Sequence, residues 1–152
     1  MTFNVLFLCT GNTCRSPMAE ALMRQSVPAG RKERFDISSA GTSAAPGDPA
    51  SPGAAEVMAE LGIDLSGHRA RPLSAALVEK ADLILALSDP QKAFIREKHP
   101  SASGKTYLLS EYADKAGKHE SIADPLGGDP EVYRQARDLI HKYVLMIAEK
   151  IQ

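Results

Sequence analysis

Tryptophan is absent from this 152-residue chain, aromatic residues make up only 5% of it, and just two cysteines occur, at positions 9 and 14. Two thiols so spaced cannot build the disulfide framework of a small secreted domain, nor the repeated ligand pairs of a cysteine-rich zinc site. A reducing compartment, the cytoplasm, is the expectation. No stretch reaches the roughly 20 consecutive apolar residues of a membrane helix, and FNVLFL near the start is too short for a signal-peptide core with its cleavage region. A net charge of -1, from 18 basic and 19 acidic residues, removes any long-range reason to expect nucleic acid or an anionic membrane as partner. The patterns GxxxxGK[ST] and GxGxxG are both missing, so nothing local points to ATP or a dinucleotide. His99, His119 and His141 have no zinc-ligand spacing. His68, in LSGHRARPL, reads as a brace for its own loop. No metal and no cofactor are expected.

What the chain does have is enough apolar material, 43% of its residues, for one ordinary domain over residues 1–152, a size that buries roughly 70% of the surface of the unfolded chain. Residues 3 to 8 are apolar except for Asn4, which suits a strand covered on both faces. The next segment turns at Gly11. Ser16 and Pro17 then offer an N-cap and a first-turn proline for a helix to about Val27. RFDISSA (34 to 40) predicts a strand closed by Gly41, and TSAAPGDPASPG (42 to 53) a loop. Ala54 to Leu61 predicts a helix stopped by Gly62, followed by irregular chain and a short helix near Ser74 to Lys80. Ala81 to Leu87 reads as a buried strand, Pro90 to about Lys98 as a helix, Thr106 to Leu109 as a last strand, and Glu111 to Asp124 as mostly loop. In the final segment Val132, Tyr133, Ala136, Leu139, Ile140, Tyr143, Val144 and Ile147 recur at three- and four-residue steps, the core face of a helix. Alternating strands and helices predict one three-layer α/β domain around a mostly parallel sheet of about four strands.

Both cysteines fall in CTGNTCRSP, between the end of the first strand and the start of the first helix. Either thiol could be no more than a small buried apolar group. A dedicated redox pair would be expected to use the CxxC spacing, which is absent. A third reading is a nucleophile held in a phosphate cradle, and elementary chemistry favours it at Cys9. The thiolate is the attacking species and needs electropositive surroundings. Backbone N–H groups from Thr10, Gly11, Asn12, Thr13, Cys14 and Arg15 can converge on a tight concavity, and the following helix offers its positive end. Gly11 permits a backbone angle or close approach denied to larger residues, and Asn12 tolerates left-handed geometry. The Arg15 fork matches two phosphoryl oxygens. Ser16 can donate to the Cys9 sulfur. A departing group also needs a proton. Among many carboxyls Asp124 stands out, because it sits in SIADPLGGDP, a loop that Pro125 starts in an extended backbone and Gly127 and Gly128 can bend.

These residues resemble the low-molecular-weight protein tyrosine phosphatase family, over essentially the whole chain. Cys9 through Arg15 match its nucleophile and phosphate-binding motif, Ser16 and Pro17 continue it, and Asp124 with Pro125 matches its general-acid loop. The resemblance implies a Rossmann-like three-layer sandwich with a central four-stranded parallel sheet, no metal, phosphorylated protein substrates and a covalent cysteinyl-phosphate intermediate. It implies attack by Cys9, phosphate binding by Arg15 and the loop amides, thiolate stabilisation by Ser16, and acid then base duty for Asp124. Asn12 matches the family's loop-shaping residue, and Cys14 matches the second cysteine that can trap an oxidised nucleophile as a reversible disulfide. Within the family the chain is most similar to bacterial protein-arginine phosphatases. Thr13 stands where tyrosine-directed members usually carry a bulkier aliphatic residue, and DPLGG lacks the adjacent aromatics typical of many eukaryotic tyrosine-directed members. Leu126 departs from the phenylalanine usual in arginine-directed members. Phosphotyrosine is the alternative substrate. A related thiol-dependent arsenate reductase would need two further cysteines, and none exists beyond Cys14. A non-catalytic phosphate-binding module would leave Cys9, Arg15 and Asp124 together without a purpose.

Overall fold

The computed structural model describes residues 1–151. Four strands, β1 (Phe3–Cys9), β2 (Phe35–Gly41), β3 (Leu83–Ala86) and β4 (Thr106–Leu108), form one parallel sheet in the order β2-β1-β3-β4. The helices are α1 (Arg15–Ser26), α2 (Pro52–Ala59), α3 (Ala75–Lys80), α4 (Asp89–Lys98), α5 (Leu109–Ala113) and α6 (Pro130–Ile151). Alternation along β1 divides the interior in two. Val5, Phe7 and Cys9 face Met18 and Leu22 of α1 and Ile140, Val144 and Ile147 of α6, whereas Leu6 and Leu8 face Val78 of α3 and Ile95 of α4. Both faces of the sheet are therefore covered, which is why its strands read as continuous apolar runs.

The expected three-layer architecture and sheet are present, and the differences are local. The strand expected over Ala81 to Leu87 is shorter, Leu83–Ala86: Ala81 N still closes α3 by donating to the Leu77 carbonyl, and the register with β1 runs only from Leu83 to Ala86. Helix α2 starts earlier than expected, since Ser51 accepts from Ala54 N at 3.3 Å and Pro52 fits its first turn. Helix α5 occupies the start of the segment expected to be mostly loop, and two short 3₁₀ turns, Ala29–Arg34 and Pro100–Lys105, add to the expected elements. On α6 the apolar stripe is buried except that Val132 is 40% exposed and Leu139 only partly covered. Arg137 lies on the buried face instead, held by the Val57 carbonyl at 2.8 Å and Glu60 at 2.8 Å.

Strand β1 sits centrally, paired with β2 on one side and β3 on the other. Its carboxyl end is the point where the chain's connections diverge, the place at which an open α/β sheet offers a crevice for ligand. Cys9 ends this strand, in register with Gly41. Gly41 is required to be small: a Cβ there would stand 2.4 Å from the Thr10 carbonyl oxygen and 3.0 Å from Asn12 N. That close approach lets the turn after β1 lie directly over the end of β2, where Thr42 N and Ser43 N donate to the carbonyls of Cys9 and Thr10.

Candidate active site

The turn from Cys9 to Arg15 is held by hydrogen bonds that converge on Asn12, which is fully buried and adopts φ 56°. Its backbone N–H donates to Cys9 Sγ at 3.3 Å. Its Nδ2 donates to Ser16 Oγ at 2.8 Å and to Ser39 Oγ at 2.9 Å. Its Oδ1 accepts from Arg71 N at 3.0 Å, and its carbonyl is 2.7 Å from His68 Nε2. Because Ser16 Oγ accepts from Asn12, its single hydrogen is free for Cys9 Sγ, 2.9 Å away. Ser39 in turn donates to Glu20 Oε1 at 2.6 Å. Two donors thus reach the sulfur, a serine hydroxyl and a backbone amide.

Two expectations need correcting. Ser16 does not cap α1: the helix starts at Arg15, the cap position is Cys14, and no side chain caps it, because the Ser16 hydroxyl is engaged by Asn12 and Cys9. Gly11 is not the residue with the unusual backbone. Asn12 is the one described non-glycine residue with positive φ, and a Cβ on Gly11 would meet only Thr13 Oγ1 at 3.6 Å. The side chain of Asn12 stabilises its own left-handed geometry, so the bend is made there.

Arg15 is 5% exposed, with one nitrogen anchored. Nη1 donates to Ser88 Oγ at 3.1 Å and to the Ile122 carbonyl at 3.0 Å. This leaves the Nε and Nη2 edge of the guanidinium for a bidentate anion contact. Ser88 donates to Gln91 Oε1, and Gln91 Nε2 donates to Thr10 Oγ1 at 3.0 Å. One buried glutamine at the start of α4 therefore ties the Arg15 anchor to the other end of the turn. Ser88, Gln91, Ser39, Glu20 and Arg71 went unnoticed in the sequence. Only the first two carried a signal, the S-x-x-Q spacing of a helix start in SDPQ.

Asp124 reaches the site by a laced path. Ile122 N donates to the Leu87 carbonyl at 2.7 Å, extending past the end of β3, and Ser121 Oγ accepts from Asp89 N at 2.8 Å. Ser110 Oγ both donates to the Glu120 carbonyl and accepts from Glu120 N, each at 2.8 Å. Beyond Ile122 the loop is exposed except at Pro125, which is buried. Leu126 N donates to Asp124 Oδ1 at 3.1 Å, turning Oδ2 toward Arg15 Nη2 at 3.7 Å. Leu126 itself is 65% exposed.

Cys14 faces a different set of partners. Both thiols are free, and Cys14 Sγ is 3.1 Å from Ser51 Oγ and 3.7 Å from the Tyr133 hydroxyl. Burial, foremost, pushes the Tyr133 phenol above its usual range, and its bond to Cys14 adds to this against the opposing bond to Ser51. Tyr133 packs over Gly53, where a Cβ would lie 2.4 Å from the ring. Thr13 is partly exposed, with its carbonyl accepting from Ser51 N at 2.8 Å.

A pre-bent loop with a sulfur at its floor, a half-anchored arginine and a solvent-facing carboxyl suits nucleophilic attack on a tetrahedral oxyanion. A family model described as low molecular weight phosphotyrosine protein phosphatase matches residues 4–152. The chain belongs to that family. Like other members it is a cysteine-dependent protein phosphatase, and its family's reaction passes through a cysteinyl phosphate. A protein-arginine-phosphatase of Geobacillus stearothermophilus is 41% identical over 152 residues, covering 100% of this chain and 98% of its own. A probable low molecular weight protein-tyrosine-phosphatase, EpsP, of Ralstonia nicotianae is 42% identical over 144 residues, covering 95% of this chain and 92% of its own. A solved structure of a mutant YwlE arginine phosphatase with a phosphorylated active-site serine matches with a TM-score of 0.90 at 37% identity, covering 98% of this chain and 95% of that one. Among the described residues of this phosphatase no group of three or more His, Cys, Asp and Glu is arranged to hold a metal, and no helix is long and apolar enough to cross a membrane.

Proposed function

We propose that this phosphatase hydrolyses phosphoarginine in proteins. The observation that carries the reading is the meeting of Cys9, Arg15 and Asp124 around a loop whose outer residue is the small, polar Thr13. Cys9 Sγ attacks phosphorus while Arg15, through Nε and Nη2, and the amides of the loop hold the phosphoryl oxygens. The P–N bond breaks, and the departing guanidino nitrogen takes the proton of the Asp124 carboxyl. Asp124, now a carboxylate, removes a proton from water. The water oxygen attacks phosphorus, the S–P bond breaks, and the thiolate leaves toward the Ser16 hydroxyl, giving inorganic phosphate. The carboxylate also attracts the guanidinium product, which an uncharged phenol would not reward. Thr13 lines the entrance without the bulk of a longer aliphatic side chain, and Cys14, which lies off this path, serves as a redox guard of Cys9. The arginine-directed relative that matches the whole chain supports this substrate.

Phosphotyrosine is the second reading, favoured by one feature. Leu126, exposed beside the acid, offers an apolar contact to a phenyl ring, although without aromatic stacking. Kinetics on matched phosphoarginine and phosphotyrosine peptides separate the two. A higher kcat/KM for phosphoarginine is expected, reduced in preference by Thr13→Ile, and a higher value for phosphotyrosine would overturn the substrate assignment. Cys9→Ser should abolish turnover under both readings while retaining phosphate binding.

A further inference from the structure

Strand β2 is an edge strand, and its outer side is not left bare. Arg24 Nη2 donates to the Ile37 carbonyl at 2.6 Å, and Arg71 Nε donates to the Ser39 carbonyl at 2.9 Å. Along this edge, between α1 and α3 and under the loop around His68, lies a cavity of about 520 Å³. That volume falls in the range of about 300–1,000 Å³ usual for small-molecule sites. It is distinct from the substrate site: Cys9, Thr13 and Asp124 take no part in its lining.

The charges in its wall do not cancel. Arg24 is paired with Glu20 at 3.0 Å and Lys80 with Asp36 at 3.1 Å. Arg69 and Arg71 also line the cavity, and among the described residues neither is paired with a carboxylate. Arg69 gives Nη1 to the carbonyls of Ser66 and His68, and Arg71 gives only Nε, to Ser39. Two guanidinium groups with N–H donors to spare, in a pocket of ligand size, match a dianion such as a phosphate monoester. Asn4 contributes to the wall as well, and its Oδ1 is a buried side-chain oxygen with no hydrogen-bond partner among the described residues. A peptide adding to the edge of β2 fits less well, since the two arginines already occupy carbonyls that strand addition would use.

We infer that this cavity binds a small organic phosphate, of sugar-phosphate to nucleoside-monophosphate size, at a site separate from the catalytic one. The lining also carries the means to affect catalysis. Arg71 N bonds Asn12 Oδ1, His68 reaches the Asn12 carbonyl, and Ser39 accepts from Asn12 Nδ2. A ligand drawing on Arg71 therefore acts on the residue that makes the bend under Cys9. By linkage, any effect of the ligand on affinity at the catalytic site is returned as an equal effect on its own binding. The inference holds whether the enzyme takes phosphoarginine or phosphotyrosine.

The test uses the full-length enzyme with its catalytic site saturated by orthovanadate, titrated calorimetrically with AMP, glucose 6-phosphate and inorganic phosphate. One equivalent of at least one organic phosphate should bind, and more tightly than inorganic phosphate. Charge reversal by Arg69→Glu or Lys80→Glu should each weaken that binding by about tenfold or more, and amide shifts on binding should centre on Arg69, Arg71 and Ser39. Lys80→Glu lies on an exposed helix end, so it reports even if Arg69→Glu perturbs its loop. Absence of binding to the vanadate-loaded enzyme, equal affinity in both variants, or equal affinity for bare phosphate would each overturn the inference. So would amide shifts confined to the Cys9 loop.

Discussion

Replacing Asn12 tests the account of the loop most directly, because one residue supplies both its bend and its bracing. Asn12→Ala removes three hydrogen bonds, to Ser16, to Ser39 and from Arg71 N. The two serine hydroxyls keep other partners in Cys9 and Glu20, while the Arg71 amide loses its acceptor. At about 1 kcal/mol for each bond, with more for a donor left unsatisfied, the side chain contributes about 3–4 kcal/mol. Alanine must also hold φ 56°, which costs a further 1–2 kcal/mol or so. Asn12→Gly loses the same bonds without that strain, though it gains freedom in the unfolded chain, so it should be the more stable of the two by about 1 kcal/mol. Urea unfolding gives the stabilities, and kcat/KM on a phosphomonoester gives the effect on the nucleophile. If half of the lost bracing energy is expressed at the transition state, activity falls about tenfold or somewhat more in both variants. An alanine variant within about 0.5 kcal/mol of wild type, or a glycine variant less stable than the alanine one, would refute the view that Asn12 makes and braces the bend.

Asp124→Asn should leave phosphate binding intact and lower kcat by ~10²–10⁴-fold; full activity in a steady-state assay would move the acid elsewhere. Mild peroxide should form a Cys9–Cys14 disulfide, read as a loss of two hydrogens in the intact mass and reversed by thiols; inactivation without that loss would count against Cys14 as guard. Burial, with the bond to Glu120, pushes the Tyr143 phenol up to about 12. Its folded value lies above the unfolded value of about 10, so this stabilisation is complete below that pH and disappears as pH rises through about 12. Tyr143→Phe should accordingly narrow its stability deficit toward wild type over that alkaline window in parallel urea titrations; a pH-independent gap would dismiss the linkage.

The sheet and the principal helices were legible because their signals are local: an apolar run ending at Cys9, the run DLILAL, and the α6 periodicity. Boundaries slipped where one residue had two possible duties. Ser16 looks like a cap from its neighbours, yet its hydroxyl is claimed by Asn12 from within the same turn. Gly11 looks like the bend because glycine is the usual left-handed residue, but Asn12 carries side-chain bonds that favour that geometry and Gly11 does not need it. Cys9, Arg15 and Asp124 could be nominated from type and motif. Their supports could not, since Ser39, Arg71, Gln91 and Ile122 are ordinary residues made significant only by the crossing of β2, α4 and the acid loop near the end of β1. Val132 has the spacing of a core residue yet lies in the first turn of α6, where it is 40% exposed.

The lacing of the acid loop stops at Ile122, whose carbonyl holds Arg15 while Asp124 and Leu126 stand in solvent. Arg15, the proposed phosphate clamp, is thus a load-sharing part of the folded core, while Asp124, the proposed acid, stands half-exposed on its rim. Leu126 at the tip of this loop could be exchanged with little effect on folding, whereas Pro125 is buried and Gly128 packs against Val132. Substrate range in such a chain can drift by changes that stability selection hardly registers.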